Sequence, residues 1–114
     1  MRKRNDERAR RIASNEALYR EVNERMGALH RGFELPGDTL KIVCECGNRE
    51  CMERIDIPTD DYEEIRCNSI DFIVVPEHDK PDVEEVIRTK PGYQVVRKTA
   101  ASGKAVARQT DPRN

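Results

Sequence analysis

Apolar residues recur at helical spacing along the N-terminal quarter of the chain. They lie seven, three, four and three positions apart, at Ile12, Tyr19, Val22, Met26 and Leu29, with Ala13, Ala17 and Leu18 beside them. This periodicity predicts one long helix over residues 5–31. We expect the stripe to pack on the domain's own sheet, and a self-association or partner seam, with its register set by Asn15, is the alternative. Gly32 would cap the helix after His30 and Arg31 in its last turn.

A β-hairpin is predicted after the turn Leu35-Pro36-Gly37-Asp38. Residues 40–44 form a short apolar run, and residues 52–57 end in the alternation of apolar and polar positions that is typical of a half-buried strand. A tight segment that contains three cysteines connects the two runs. The cysteines should therefore lie at the tip of the hairpin.

The second half of the chain predicts smaller elements. Thr59 is placed to cap a short helix that ends near residues 67–68, and four acidic residues occupy its first turns. Residues 71–75 are the most hydrophobic stretch and the expected central strand. A loop bounded by Pro76 and Pro81 follows, then a short helical turn over residues 83–87 and a last strand over residues 93–98. From Thr99 onward no periodicity appears, which predicts a disordered tail.

Charge is distributed unevenly, although the net charge of the 114 residues is only −1. Residues 1–11 carry six basic and two acidic groups, residues 97–114 carry five and one, and the body between them carries ten and nineteen. The acidic body, which has a basic arm at each end, has the charge that ordinary solubility requires. The arms could also contact nucleic-acid phosphates, but they lack interleaved aromatic residues, so this indication is weak.

No segment approaches the roughly 20 apolar residues of a membrane span. The N-terminal residues 1–8 also lack the apolar region of a secretory signal. These observations predict a cytoplasmic protein whose cysteines stay reduced. In an exported protein a disulfide within the cysteine set would be the leading interpretation instead.

Three of the four cysteines, Cys44, Cys46 and Cys51, fall within eight residues. Thiolates this close together in a reducing compartment indicate a bound metal, and Zn²⁺ before any other. Residues 44 and 46 of an extended segment point to the same side, and Gly47 relieves the backbone just after the second ligand. Buried free thiols and a redox pair are the alternative interpretations.

The fourth zinc ligand stays open when it is judged from these residues alone. Cys67 would complete an all-cysteine site, although it lies at the end of an amphipathic helix, where inert cysteines are common. His78 lies in the loop that the two prolines make rigid. His30 is the weakest candidate because a histidine at a helix C-terminus is favourable without any ligand.

The arrangement of these motifs resembles a family of small, largely uncharacterised actinobacterial proteins, and the match covers roughly residues 12–98. It rests on residues 15–25, the Cys44-Glu45-Cys46-Gly47 segment with Cys51, residues 61–66, and the segment from Phe72 to Pro76-x-His78. The resemblance implies a ligand set of Cys44, Cys46, Cys51 and His78, with Cys67 incidental. This chain has Glu77 where the pattern leads us to expect glycine. The resemblance implies no activity.

Together these observations predict a small α+β domain. It comprises a long N-terminal helix, a zinc-tipped β-hairpin, a short helix and a small, mainly antiparallel sheet. The expected divisions are a basic arm over residues 1–11 that continues into the helix, a zinc-stabilised domain over 12–98 and a disordered tail over 99–114. With 36% hydrophobic and 4% aromatic residues, the core is lean, so a structural metal would matter for stability.

The leading functional hypothesis is a non-enzymatic bacterial zinc module that binds a protein partner through the long helix, with a homodimer possible. A zinc/thiol redox sensor and a nucleic-acid-associated regulator that uses the basic arm are the alternatives. An enzyme is disfavoured because three thiolates make zinc a poor Lewis acid and no glycine-rich phosphate loop appears. Glu45 or Glu50 would be the base in that case.

Overall fold

The computed structural model describes residues 2–31 and 38–113 and has the predicted α+β architecture. Its elements in chain order are α1 (Arg2–Arg31), β1 (Thr39–Val43), β2 (Arg54–Pro58), α2 (Thr59–Ile65), β3 (Asp71–Val74), β4 (Glu84–Lys90), β5 (Tyr93–Lys98) and α3 (Ala101–Gln109). Within these ranges no helix combines the length and apolar content that a membrane crossing needs. The predicted cap at Gly32 and the turn at residues 35–37 lie outside the described residues, as does the side chain of His30.

The predicted hairpin is confirmed. β1 and β2 pair antiparallel, with Leu40 opposite Ile57 and Ile42 opposite Ile55. These four side chains are buried and their neighbours along each strand are more exposed, as alternation on a one-sided sheet requires. The connection between the strands holds the three clustered cysteines.

The second sheet has the order β3-β5-β4, and both pairings are antiparallel. The prediction of β3 as the central strand was wrong, because β5 lies in the middle. All four residues of β3 are nevertheless buried, since the cysteine segment covers its outer edge: Glu45 N–H donates to Ile73 O at 2.9 Å. The predicted helical turn over residues 83–87 was also wrong. Most of it belongs to strand β4, which has a β-bulge between Val86 and Arg88.

The long helix α1 is confirmed, but Ile12 is the only buried residue of its apolar stripe. Leu18 and Leu29 are 50% and 73% exposed, and Val22 is also exposed. The buried face instead combines small and polar side chains, namely Ala9, Ile12, Ala13, Glu16, Ala17, Arg20, Asn23 and Glu24. Alanines let the helix approach closely, and each long polar side chain finds a partner across the interface.

Arg20 illustrates how this polar face is accommodated. Its guanidinium donates to Ser69 O at 2.5 Å and to Ala107 O at 2.7 Å, and it lies 4.5 Å from the centroid of the Phe72 ring. One arginine therefore contacts the turn before β3, the strand β3 and the helix α3. These partners offset the cost of burying the guanidinium. The spacing of apolar residues along the sequence does not reveal them.

The predicted disordered tail was wrong over most of its length. Residues 101–109 form α3, which packs against α1 with Gly103 and Ala107 buried. After α3, Arg113 pairs with Glu24 of α1 at 2.5 Å, and Asp111 pairs with Arg66 at the end of α2 at 2.5 Å. The small side chains of this segment show no hydrophobic periodicity in the sequence. They nevertheless allow the two helices to lie close together.

The start of α2 differs from the prediction in one detail. Pro58 occupies the N-cap position, and Thr59 is the first helical residue. The Thr59 hydroxyl donates to Asp38 O at 3.0 Å and so joins α2 to the start of β1 instead of capping the helix. The helix ends at Ile65, two residues before the predicted end.

Candidate metal centre

The side chains of Cys44, Cys46, Cys51 and His78 meet in one cluster. One ligand atom from each of them lies within 4.8 Å of all the others, a spacing at which they could hold a metal ion. Cys44 directly follows β1, Cys46 and Cys51 belong to the β1–β2 connection, and His78 lies in the loop after β3. The cluster therefore joins the hairpin to the second sheet.

Two distances within the cluster can be compared with those of a tetrahedral metal site. His78 Nδ1 lies 3.6 Å from Cys44 Sγ and 3.6 Å from Cys51 Sγ. A tetrahedron with Zn–S bonds of about 2.3 Å and a Zn–N bond of about 2.0–2.1 Å has an S···N edge of roughly 3.6 Å. Two edges of the cluster therefore have the length of such a site, and all four donor atoms lie close enough together to hold a metal ion.

Backbone amides support each of the three sulfur atoms. Val75 N–H donates to Cys44 Sγ at 3.2 Å. The backbone at Asn48 hydrogen-bonds the Cys46 sulfur, and the backbone at Glu53 hydrogen-bonds the Cys51 sulfur. Such bonds favour the charged form of a thiol, although burial outweighs them at Cys51 and raises its pKa.

The titration of the cysteines fits that environment. A hydrogen bond with Cys46 raises the pKa of Cys44, and burial raises it further. The same bond lowers the pKa of Cys46 to about 4. The raised pKa of Cys44 opposes two negative charges on neighbouring sulfur atoms, and a bound cation would favour the charged form of each.

The turn between Cys46 and Cys51 has its own hydrogen bonds. Cys51 N–H donates to Asn48 O at 3.0 Å, and Glu50 N–H donates to the Asn48 side chain at 3.0 Å. Gly47 has φ +80, the left-handed conformation that the sequence led us to expect. The turn therefore forms locally and presents both of its sulfur atoms to one side.

Gly47 also makes a close contact with α1. A Cβ at this position would lie 3.1 Å from Glu16 Cγ and 3.3 Å from Ile12 O. We expect Gly47→Ala to destabilise the protein by about 2–5 kcal/mol, through positive-φ strain of about 1–2 kcal/mol and overpacking of about 1–3 kcal/mol. Urea unfolding curves measure this loss.

Gly92→Ala is the matched control, because Gly92 has φ +88 and nothing within 4 Å of its added Cβ. This variant should lose only the strain of about 1–2 kcal/mol. Equal losses in the two variants would mean that the packing of the cysteine turn on α1 contributes nothing.

Glu45 is a residue whose role the sequence did not reveal. It alternates away from the two flanking cysteines, as predicted, and it is completely buried. One carboxylate oxygen accepts from Asn23 Nδ2 at 2.8 Å and the other accepts from Ile73 N–H at 2.9 Å. Burial raises its pKa, and these two bonds oppose the rise. Glu45 therefore anchors the cysteine segment to α1 and β3, and both of its oxygens face away from the cluster.

Asn23 completes this anchor from the helix side. Its amide accepts from Val43 N–H at 2.8 Å and donates to Val43 O at 2.8 Å, which is the pattern of an additional strand. Lys80 contributes from the opposite side, where its ammonium donates to Cys46 O. The cluster is thus held by residues from three separate regions of the chain.

The other residues considered from the sequence lie elsewhere. Cys67 is exposed, and its Sγ contacts Glu63 O at 3.5 Å. Glu50 is exposed in the turn. Glu77, which stands where the family pattern leads us to expect glycine, has φ 73, a conformation that glycine adopts without strain. The position therefore has the backbone geometry of a glycine site immediately before His78.

Comparison with known proteins gave no matching family model, no matching curated protein and no matching solved structure. The resemblance to the actinobacterial family stays a prediction from its motifs. Functional reasoning for this chain therefore starts from the geometry of the cluster.

Proposed function

We propose that this chain is a non-enzymatic module in which Cys44, Cys46, Cys51 and His78 hold one structural Zn²⁺ ion. The observation that carries the proposal is the pair of 3.6 Å distances from His78 Nδ1 to two cysteine sulfur atoms. A thiolate-rich tetrahedral set suits zinc, and four protein ligands leave no position for a catalytic water. The proposal places the protein in a reducing compartment such as the bacterial cytoplasm, where its thiols remain available.

The origin of the ligands explains why the site would be structural. The three cysteines belong to the hairpin and its connection, whereas His78 follows β3 of the other sheet. A single ion would therefore crosslink two sheets that belong to different pairing units. Structural zinc contributes on the order of 10 kcal/mol to folding, which is large beside the total stability of about 5–15 kcal/mol of a typical domain.

The proposed role of the module is to bind or regulate another protein through α1. Leu18, Val22 and Leu29 lie on one side of this helix and are exposed. An exposed apolar stripe on a helix is a common feature of partner-binding surfaces. The same stripe could support a homodimer. The basic arm supports a nucleic-acid role less well than the stripe supports a protein partner. Its Arg8 already pairs with Asp82 at 2.7 Å.

A redox sensor is the second candidate, and one observation favours it. Cys51 is the most accessible of the three clustered cysteines, whereas Cys44 and Cys46 are buried. Oxidation by peroxide would join two thiolates in a disulfide, reduce the peroxide and release the zinc. The backbone bonds to all three sulfur atoms favour the structural role instead, because they lower thiolate reactivity.

Native mass spectrometry of protein expressed with zinc tests the proposal. We expect one zinc per chain in the parent and in Cys67→Ser, and clearly lower zinc occupancy in His78→Ala, because three thiolates alone hold the ion more weakly. Cys51→Ser is the matched partner of Cys67→Ser, because both remove one thiol and only the first removes a proposed ligand. A parent chain without metal, or retention of tight zinc binding in both Cys51→Ser and His78→Ala, would contradict the proposal.

A further inference from the structure

The two ring nitrogens of His78 face different partners. Nδ1 points at the sulfur atoms of Cys44 and Cys51, while Nε2 lies 3.0 Å from Glu53 Oε2. An ionised carboxylate only accepts hydrogen bonds, so Nε2 carries the proton of this contact. In the neutral imidazole this leaves the lone pair on Nδ1, the nitrogen that faces the cluster.

Glu53 is well placed to act on the ring because its backbone belongs to the cysteine turn. Its carbonyl accepts from Cys44 N–H at 2.9 Å, and its backbone hydrogen-bonds the Cys51 sulfur. The Glu53 side chain leaves this fixed backbone and reaches across to the loop after β3. It therefore joins the part of the site that holds three ligands to the part that supplies the fourth.

We infer that Glu53 is the positioning residue for the fourth ligand. It fixes the orientation and tautomer of His78 so that Nδ1 is presented to the metal. This inference rests on the proposed zinc site and deepens it. Carboxylates that accept from the distal nitrogen of a metal-bound histidine fix the ring and raise its basicity, and losing one typically lowers metal affinity 10–100-fold.

The position needs such support because His78 is more exposed than two of its three partners. Its side chain is 31% exposed, whereas Cys44 and Cys46 are each 2% exposed. An exposed imidazole on a loop can rotate about its side-chain bonds unless a second contact holds it. Without Glu53 we expect the three thiolates to keep the metal and the histidine to release it first.

Zinc affinity measured by competition with a chromophoric chelator tests the inference. We expect Glu53→Ala to weaken zinc binding 10–100-fold, and Glu53→Gln to recover most of that loss because its amide oxygen can accept from Nε2. Glu50→Ala is the control, since it removes the same charge from an exposed position in the same turn. A change of less than about threefold is expected there, because exposed charges are screened.

Long-range proton–nitrogen NMR of His78 gives a readout that a merely structural role would not move. Zinc-loaded parent protein should show a protonated Nε2 and a metal-bound Nδ1, and Glu53→Ala should show loss or exchange of this pattern. Glu53→Ala should also add no further loss of affinity in a His78→Ala background. This double variant separates positioning of the histidine from a general effect on the turn.

The possible outcomes distinguish failure of the proposed zinc site from failure of the role of Glu53. A parent chain that takes up no zinc would refute the proposed function itself. A parent that binds zinc while Glu53→Ala and Glu50→Ala weaken it equally, or while neither does, would overturn the role of Glu53 alone. Observation of Nε2 as the metal-bound nitrogen in the parent would overturn it too, and this needs no variant to fold.

Discussion

Removal of the metal is expected to unfold the body of the protein. The four donors come from the β1–β2 connection and from the loop after β3, so chelation would remove the crosslink between the two sheets. It would also leave three neighbouring thiols to share protons in a partly buried site. A structural zinc ion contributes on the order of 10 kcal/mol, which is comparable to the whole stability of a small domain.

Far-UV circular dichroism and thermal melting, recorded before and after treatment with excess chelator, measure this effect. We expect loss of the cooperative transition after chelation and its return when zinc is added back. Cys67→Ser should behave like the parent, because Cys67 lies outside the cluster. Full secondary structure and an unchanged melting temperature after complete metal removal would show that the site is not structural.

Replacement of Lys98 by methionine is expected to cause the second large loss, about 3–5 kcal/mol. The Lys98 ammonium is completely buried and lies 2.6 Å from Glu16 and 3.0 Å from Glu84, whose side chains are also completely buried. Methionine keeps most of the length of the side chain but leaves two carboxyl groups without their cation. Urea unfolding of the zinc-loaded protein measures the difference.

Glu16→Gln is the matched control for this cluster. Burial raises the pKa of Glu16 well above its ordinary value, and the neighbouring Glu84 adds to the rise, so the group is readily held in its neutral form. Glutamine has nearly the same shape and is neutral, and we expect a loss below about 1.5 kcal/mol. If Glu16→Gln were as damaging as Lys98→Met, Glu16 would have to be ionised in the folded protein.

The parts of the fold that the sequence predicted are those set by local patterns. The alternation of apolar and polar residues predicted β2. The tight cysteine segment between two short predicted strands predicted the hairpin. The strand β5 was predicted with its observed limits because the turn at residues 91–92 and the apolar pattern agree there. The positive φ of Gly47 followed from the needs of a metal-binding turn.

The face that α1 buries was not predictable from hydrophobicity. Glu16, Arg20 and Asn23 are completely buried because residues far away in the sequence supply their partners. A periodicity argument treats such side chains as exposed and treats Leu18 and Leu29 as core. The error in α3 has the same origin, since its buried Gly103 and Ala107 contribute fit but little apolar area.

At the candidate site, too, the residues close together in sequence were predictable and the contacts between distant segments were not. Three ligands were evident from spacing within eight residues, whereas the placement of His78 depends on how two sheets lie relative to each other. Sequence reasoning left Cys67 and His78 both open, and only the resemblance implied His78. Glu53 gave no signal, because an acidic residue beside a turn is usually solvated, and Glu45 was considered from the sequence only as a base and not as an anchor.

X-ray absorption spectroscopy of the purified protein at the zinc edge tests the central claim most directly. The account predicts one zinc per chain with a first shell of three sulfur atoms at about 2.3 Å and one nitrogen at about 2.0–2.1 Å. The same shell should be found in Cys67→Ser. A shell of four sulfur atoms, a shell dominated by oxygen, or protein that carries no zinc would contradict it.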